Sequence, residues 1–519
     1  MNTKLAKLDW CTHLNDWKRY LQVIIDDNAC KEDIPSKIKY KRQLAALIEV
    51  TYGIVTNPDI FVHMIKPEAI AQMPKIDMDN INWYQKLDMA QQRAVAAVLT
   101  NQPLILIQGP PGTGKTTVIT ESVLQTLESN PVARILIASE SHVAVDNVLE
   151  KLLKLRPELD VIRISNNPDK IGDHPDIQSI AANVRMDEYY NWLETHEAVP
   201  AGLATALKGI FTVKGAPIKI YRDLANSAQI VVATCNLVAA WSYSNQDAPF
   251  DLVVVDEVCK ATLPEVIAPL KLGQRALLVG DPIQLPPVFC MEEIELQKNE
   301  KLELISERQY INELFEQMKH TGHVHFLNQQ YRMPNQLGSF ISNAFYRGKL
   351  SNGLDRDKPD SLYWIDSSNK ILVPPNEKKN QLSNPHEVDI VVKIVDHVLT
   401  LRKNNQCFSM AIVTPYKEQM RALKNAIKGK VPSSVSVQID TVDAFQGRDA
   451  DVVIFSATRN YGSLRFLGDR KRMNVALSRA KSELWFVGCK SFLRKVPFLV
   501  QLEQMAQPFI LDIATHSEI

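Results

Sequence analysis

The sequence predicts an α/β fold: two domains in tandem, each a parallel sheet flanked by helices. Three observations predict it. Short apolar runs recur between amphipathic, helix-like stretches, and unalternated β-branched runs of this kind are what strands buried on both faces require. The runs come in two successive series along the chain. At 519 residues the chain is long enough for two to four domains of ordinary size, each with its own core.

The first series comprises residues 104–107, 135–138, 161–164, 230–234, 252–255 and 276–279. The second comprises 411–414, 435–439, 452–456 and 484–487. Strands separated by helices imply right-handed βαβ crossovers, hence two parallel sheets. We place the first domain at 81–325 and the second at 326–519. Three segments fall outside the scheme. Residues 1–80 read as a helical accessory region with a basic run at 37–42 (KIKYKR), either a solvated helix face or a backbone contact. Residues 166–228 read as a helical insertion in the first domain. Residues 292–319 read as a charged surface helix.

Composition narrows the class. Basic and acidic residues balance at 59 each, so a nucleic-acid partner would need a local basic channel rather than a basic domain. The seven cysteines form no C-x-x-C pair, which suggests neither a zinc site nor a disulfide framework. No apolar run approaches the length of a bilayer span, and the N-terminus lacks a signal-peptide core. A cytoplasmic protein is expected, with no membrane partner.

The first strand of the first series leads directly into Gly109-Pro110-Pro111-Gly112-Thr113-Gly114-Lys115-Thr116-Thr117. This fits G-x-x-x-x-G-K-[ST] between a strand and a helix. Glycines let backbone N–H groups turn inward around phosphates, and the helix N-terminus adds positive dipole. Lys115 is expected on the β- and γ-phosphates of ATP and the Thr116 hydroxyl on Mg²⁺. The loop alone says only that a nucleoside triphosphate binds, since kinases and GTPases share it. Farther along, three valines deliver Asp256-Glu257 to a strand end. Asp256 is expected to hold the metal and Glu257 to polarise the attacking water. Another strand ends in Gly280-Asp281-Pro282-Ile283-Gln284-Leu285-Pro286-Pro287-Val288, where the Gln284 amide either senses the γ-phosphate or is incidental to a proline-stiffened loop.

These residues resemble superfamily 1 helicases, in the 5′-to-3′ subgroup with the nonsense-mediated-decay RNA helicase and senataxin. The likeness runs from about Leu87 to Gly488, with many motifs in order. It implies two RecA-like P-loop domains. Leu87-Asp88-Met89-Ala90-Gln91 resembles the Q motif, which implies that Gln91 reads adenine. Ser141-His142 and Thr234-Cys235-Asn236 resemble motifs Ia and Ib, which implies strand contacts for Ser141, His142, Thr234 and Asn236. Gln330-Tyr331-Arg332-Met333 and the run Arg472 to Lys481 imply γ-phosphate arginines at Arg332 and Arg479. Val413-Thr414-Pro415-Tyr416 resembles motif IV, implying a strand contact at Thr414 and a base-stacking tyrosine at Tyr416. The run Thr441 to Asp449 resembles motif V, implying a strand contact at Thr441 and nucleotide contacts at Gly447 and Asp449.

Three positions depart from the pattern: Lys260 where the family has glutamine, Asp449 where glutamate is common, and His142 where asparagine is common. The resemblance implies an ATP- and Mg²⁺-dependent translocase on single-stranded DNA or RNA, driven by closure of the two domains. The alternative is a nucleic-acid-stimulated ATPase clamp that unwinds little and acts with a partner, such as a nuclease or a recruiting protein.

Overall fold

The computed structural model describes residues 11–26, 34–67, 70–75, 78–165, 169, 171–172, 174–195, 202, 216–241, 249–287, 310–353, 361–368, 382–402, 407–445 and 447–509. They form two compact units. One draws on Met1–Gly109, Gly114–Pro282 and Pro286–Leu327, the other on Pro110–Thr113, Ile283–Leu285 and Asn328–Ile519.

The first unit opens with helices α1 (Cys11–Asp26), α2 (Ile34–Thr51) and α3 (Pro58–Ile65), followed by α4 (Met89–Val98). Its sheet holds β1 (Leu104–Gln108), β2 (Ile135–Ser139), β3 (Val161–Arg163), β4 (Ile230–Thr234), β5 (Leu252–Asp256), β6 (Ala276–Gly280) and β7 (Val324–Phe326). All pairings are parallel, in the order β3-β4-β2-β5-β6-β1-β7. Strand periodicity divides the core in two. Leu104 and Leu106 join a cluster with Trp17, Leu21, Leu47 and Phe61 of the N-terminal helices. Ile105 and Ile107 join the opposite cluster, with Val118 and Val123 of α5 (Lys115–Ser129) and Val145 and Leu149 of α6 (His142–Leu155). The N-terminal helices therefore cover one sheet face. Within the expected insertion, Pro175–Ser179, Ala182–Thr195 and Ala216–Ser227 are helical. Of the segment 292–319, Tyr310–Met318 is helical and residues 292–309 lie outside the described residues.

The second unit has a six-stranded parallel sheet of β10 (Leu362–Asp366), β11 (Phe408–Thr414), β12 (Val435–Thr441), β13 (Ala450–Ser456), β14 (Ala480–Gly488) and β15 (Gln507–Pro508). Its order is β12-β11-β13-β14-β10-β15. Two short strands, β8 (Gln329–Gln330) and β9 (Ser351–Asn352), pair separately. The helix Pro385–Leu401 buries Val391, Ile394 and Val395 in the same core as Ile412 and Ile454.

Every apolar run read as a strand lies in a strand, except that Ile164 falls just past the end of β3. Apolar runs do not reveal β7, which reads Val-His-Phe, or β10, whose Tyr363 ring instead stacks on Trp485 at 4.0 Å. Among the described residues no helix is long and apolar enough to cross a membrane.

Candidate nucleotide site and its surroundings

Parallel register brings the first unit's candidate residues to one sheet edge. Gln108 pairs with Gly280, while Ser139 pairs with both Thr234 and Asp256. The loops after β1, β2, β4, β5 and β6 thus leave from one row of strand ends, the edge where ligands bind in open α/β sheets.

After β1 the chain turns through Gly112 (φ 75°) and Gly114 (φ 79°), a region that side chains with a Cβ avoid. A Cβ on Gly114 would also lie 2.6 Å from Gln91 Nε2. Gln91 is fixed from its own helix, because its Oε1 accepts from the Asp88 N–H at 3.0 Å while Asp88 caps α4. The Q-motif glutamine therefore lies against the phosphate loop. Lys115 Nζ crosses the loop to donate to the Gly109 carbonyl at 3.0 Å and stands 4.0 Å from Glu257 Oε1. No side chain caps α5, so its first N–H groups point into the loop, as an anion site requires. Thr117 Oγ1 accepts from Lys151 of α6.

At the end of β5, Asp256 is 5% exposed and accepts the Glu257 N–H at 2.8 Å. Burial first, then the Glu257 charge, pushes its carboxyl up to about 7, against the pull of Lys115. An acid pair under this tension is what a divalent cation relieves, and the residues fit Mg²⁺. That ion is bound by one or two protein groups plus phosphates and water, which suits Asp256 with Thr116.

The strand-facing candidates divide. Ser141 caps α6, its Oγ accepting from Ala144 N–H at 3.3 Å. His142 Nδ1 lies 3.1 Å from Arg163 Nη2, and the buried Arg163 also pairs with Asp146 at 2.7 Å. Arg163 can only donate, so His142 accepts at Nδ1. Thr234 is buried at the end of β4. Asn236 donates to Glu265 at 3.1 Å and accepts from Gln43 of α2 at 3.1 Å, while Lys39 of α2 pairs with Glu265 at 2.8 Å. Part of the basic run thus ties α2 to the sheet domain through Lys39, a partner that neither the solvated-face nor the backbone-contact reading named.

In the second unit, Asp449 gathers two cations, Arg332 at 2.9 Å and Lys481 at 2.6 Å. Against the upward push of burial, Arg332 and Lys481 hold its carboxyl below the usual range. Arg332 also donates to the Ser478 carbonyl at 3.2 Å. Arg479 is 3% exposed, unlike the solvated surface arginine its residue type alone suggests. It donates to the Val475 carbonyl at 2.7 Å and to Gln284 Oε1, in the Ile283–Leu285 segment of the same unit, at 3.2 Å. Gly447 turns at φ 84°, and Thr441 is half-buried at the end of β12. Thr414 does not reach a surface: it is fully buried, hydrogen-bonded to Thr458 Oγ1 at 3.0 Å, which corrects the expected strand contact. Tyr416 accepts from Arg459 Nε at 2.7 Å, with the guanidinium 5.4 Å from its ring. Val288 and Gln446 lie outside the described residues.

Two family models, both described as an AAA domain, match residues 86–208 with 211–292 and residues 310–491. An uncharacterised ATP-dependent helicase of Methanocaldococcus jannaschii is 26% identical, over 88% of this chain and 75% of that one. The ATP-dependent helicase upf1 of Schizosaccharomyces pombe is 30% identical, over 83% of this chain and 48% of that one. The DNA replication ATP-dependent helicase/nuclease DNA2 of Saccharomyces cerevisiae is 29% identical, over 79% and 26%. This chain belongs to the superfamily 1 helicases. The chain spans three quarters of the archaeal relative, about half of the fission-yeast one and about a quarter of the budding-yeast one. Sequence reasoning missed Arg459 and the Gln43–Asn236 link and gave Lys481 no partner, because these contacts join residues with no shared spacing.

Proposed function

We propose that this helicase is an ATP-driven translocase on single-stranded DNA or RNA, moving 5′ to 3′, with hydrolysis coupled to closure of two RecA-like domains. One observation carries the reading. A phosphate loop, an acid pair and the motif Ia and Ib residues leave neighbouring strand ends of one sheet, and the second unit supplies two arginines held by short-range partners. Lys115 and the N-terminus of α5 bind the phosphates, and Gln91 sits where the adenine edge would be read. Mg²⁺ held by Thr116 and Asp256 would supply charge for the phosphates. Glu257 orients the attacking water, and Gln284, Arg332 and Arg479 stabilise the charge that develops on the transferred phosphoryl group. Tyr416, Gly447 and Asp449 contact base and ribose. To Ser141, His142, Thr234, Asn236 and Thr441 we assign backbone contacts, which would give a sequence-independent grip.

A second reading, an ATPase clamp that unwinds little, is favoured by Asn236. Its amide is already committed to Gln43 and Glu265. Steady-state ATP hydrolysis with and without single-stranded DNA or RNA tests the first reading, with Lys115→Ala as the blank. Strong stimulation by one polymer supports it, and equal rates with and without polymer sink it. Strand displacement from 5′- and 3′-tailed duplexes then separates unwinding from clamping.

A further inference from the structure

The acid pair is followed by a short 3₁₀ turn, Val258–Lys260, closed by the Lys260 N–H donating to the Glu257 carbonyl at 2.9 Å. Glu257 itself has φ 51°, a left-handed conformation that a non-glycine residue holds only when its surroundings impose it. The turn therefore sets where the Glu257 carboxylate points.

The side chain that closes this turn reaches a second functional segment. Lys260 Nζ pairs with Glu140 Oε2 at 3.1 Å. Glu140 directly follows Ser139, the β2 residue whose register partner is Asp256, and directly precedes Ser141, the cap of α6. Among the described residues neither side chain makes a second ion pair. The side chains are 26% and 33% exposed, so the pair does little for stability in itself. Its importance lies in what it joins. A continuous path runs from the Glu257 carbonyl through Lys260 and Glu140 to Ser141 and His142.

We propose that the Lys260–Glu140 ion pair is a positioning link that makes the aim of Glu257 depend on what the N-terminus of α6 holds. This rests on the reading of Ser141 and His142 as strand contacts. A strand drawn onto α6 shifts Glu140, Lys260 follows, and the 3₁₀ turn re-aims Glu257. The link is ionic, so it has a sign.

Sign makes it testable by exchange. The readout is the ratio of ATP hydrolysis with saturating oligothymidylate or oligouridylate to hydrolysis without it, measured on the full chain. Glu140→Lys and Lys260→Glu are each expected to cut that ratio about fivefold, and the double exchange E140K/K260E to restore it to within about twofold of the parent. The change that a non-hydrolysable ATP analogue makes in strand affinity is a second, equilibrium readout, expected to fall in each single reversal and to recover in the double exchange. A role in packing alone would leave this second readout unmoved. Single reversals that leave the ratio intact, or an exchange that fails to restore it, overturn the link while the motor reading stands. A parent protein that no polymer stimulates overturns the motor reading and the link with it. If the reversals do not fold, Lys260→Gln and Glu140→Gln drop one charge without opposing like charges. A ratio unchanged in both also overturns the link.

Discussion

In the first unit Asp256 sits 5% exposed beside another acid, and its carboxyl is pushed up to about 7. In the second unit Asp449 lies between Arg332 and Lys481 and is held below its ordinary range. The first arrangement is short of positive charge and the second has it in place. The difference teaches where each unit expects its missing partner. On the proposed function, the first receives a cation with its phosphates. On the same proposal, the second keeps its cations on a carboxylate until a more strongly charged group competes for them.

On the proposed function, the largest effects come from removing the charge assigned to the phosphates. Arg332→Ala and Arg479→Ala are each expected to lower kcat about 10³-fold, as the loss of an arginine finger does. Thermal melts of both variants should show the fold intact. If only Lys115→Ala silenced hydrolysis while both arginine variants turned over normally, the division of labour between the units would be wrong. Next in size is Glu257→Gln, expected to cost about 10²-fold in kcat while ATP binding, read by a fluorescent nucleotide, stays within about twofold. A matching loss of binding would mean that Glu257 holds the nucleotide rather than the water.

Asp449→Asn sharpens the comparison directly. It leaves Arg332 and Lys481 without their shared anion and removes the carboxylate assigned to the ribose. The expected result is a rise in KM for ATP of about fivefold with a smaller change in kcat. A raised kcat at constant KM would mean that Asp449 is only a resting place for Arg332.

How much of this could be read from residues alone follows from the chain distances involved. The phosphate loop and the Asp256-Glu257 pair were legible because each is a short local pattern at the end of a buried strand. Parallel register does the rest, so the pairing of Gln108 with Gly280 needs no further signal. Arg332 and Arg479 were visible only through resemblance, since a single arginine has no periodicity. Thr414 failed because the last residue of a strand can face either way, and here it faces Thr458, 44 residues on. Asn236 meets Gln43 across 193 residues, and Tyr416 meets Arg459 across 43. Tertiary packing creates such pairs, and no spacing rule contains them.

The last effect falls on stability rather than turnover, and concerns a carboxylate that neither unit's chemistry uses. Glu387 is fully buried in the second unit, with Ser456 Oγ at 2.7 Å, Ser367 Oγ at 3.1 Å and the Thr458 N–H at 2.7 Å. Burial raises its carboxyl to about 7, against those hydrogen bonds. Between the ordinary carboxyl value of 4.5 and about 7, the folded chain keeps a proton that the unfolded chain releases. Folding stability therefore falls as pH rises through that window and levels off above it, by about 3 kcal/mol at most. Glu387→Gln has no such slope. Its carbonyl can take the Ser456 and Thr458 donors, and its amide can donate to Ser367. Calorimetric melts of the full chain should show the variant close to the parent at pH 5 and more stable at pH 8. Parallel pH profiles would mean that the Ser456 and Thr458 donors already hold Glu387 ionised. Glu387 would then sit on the low side of its ordinary range, as Asp449 does.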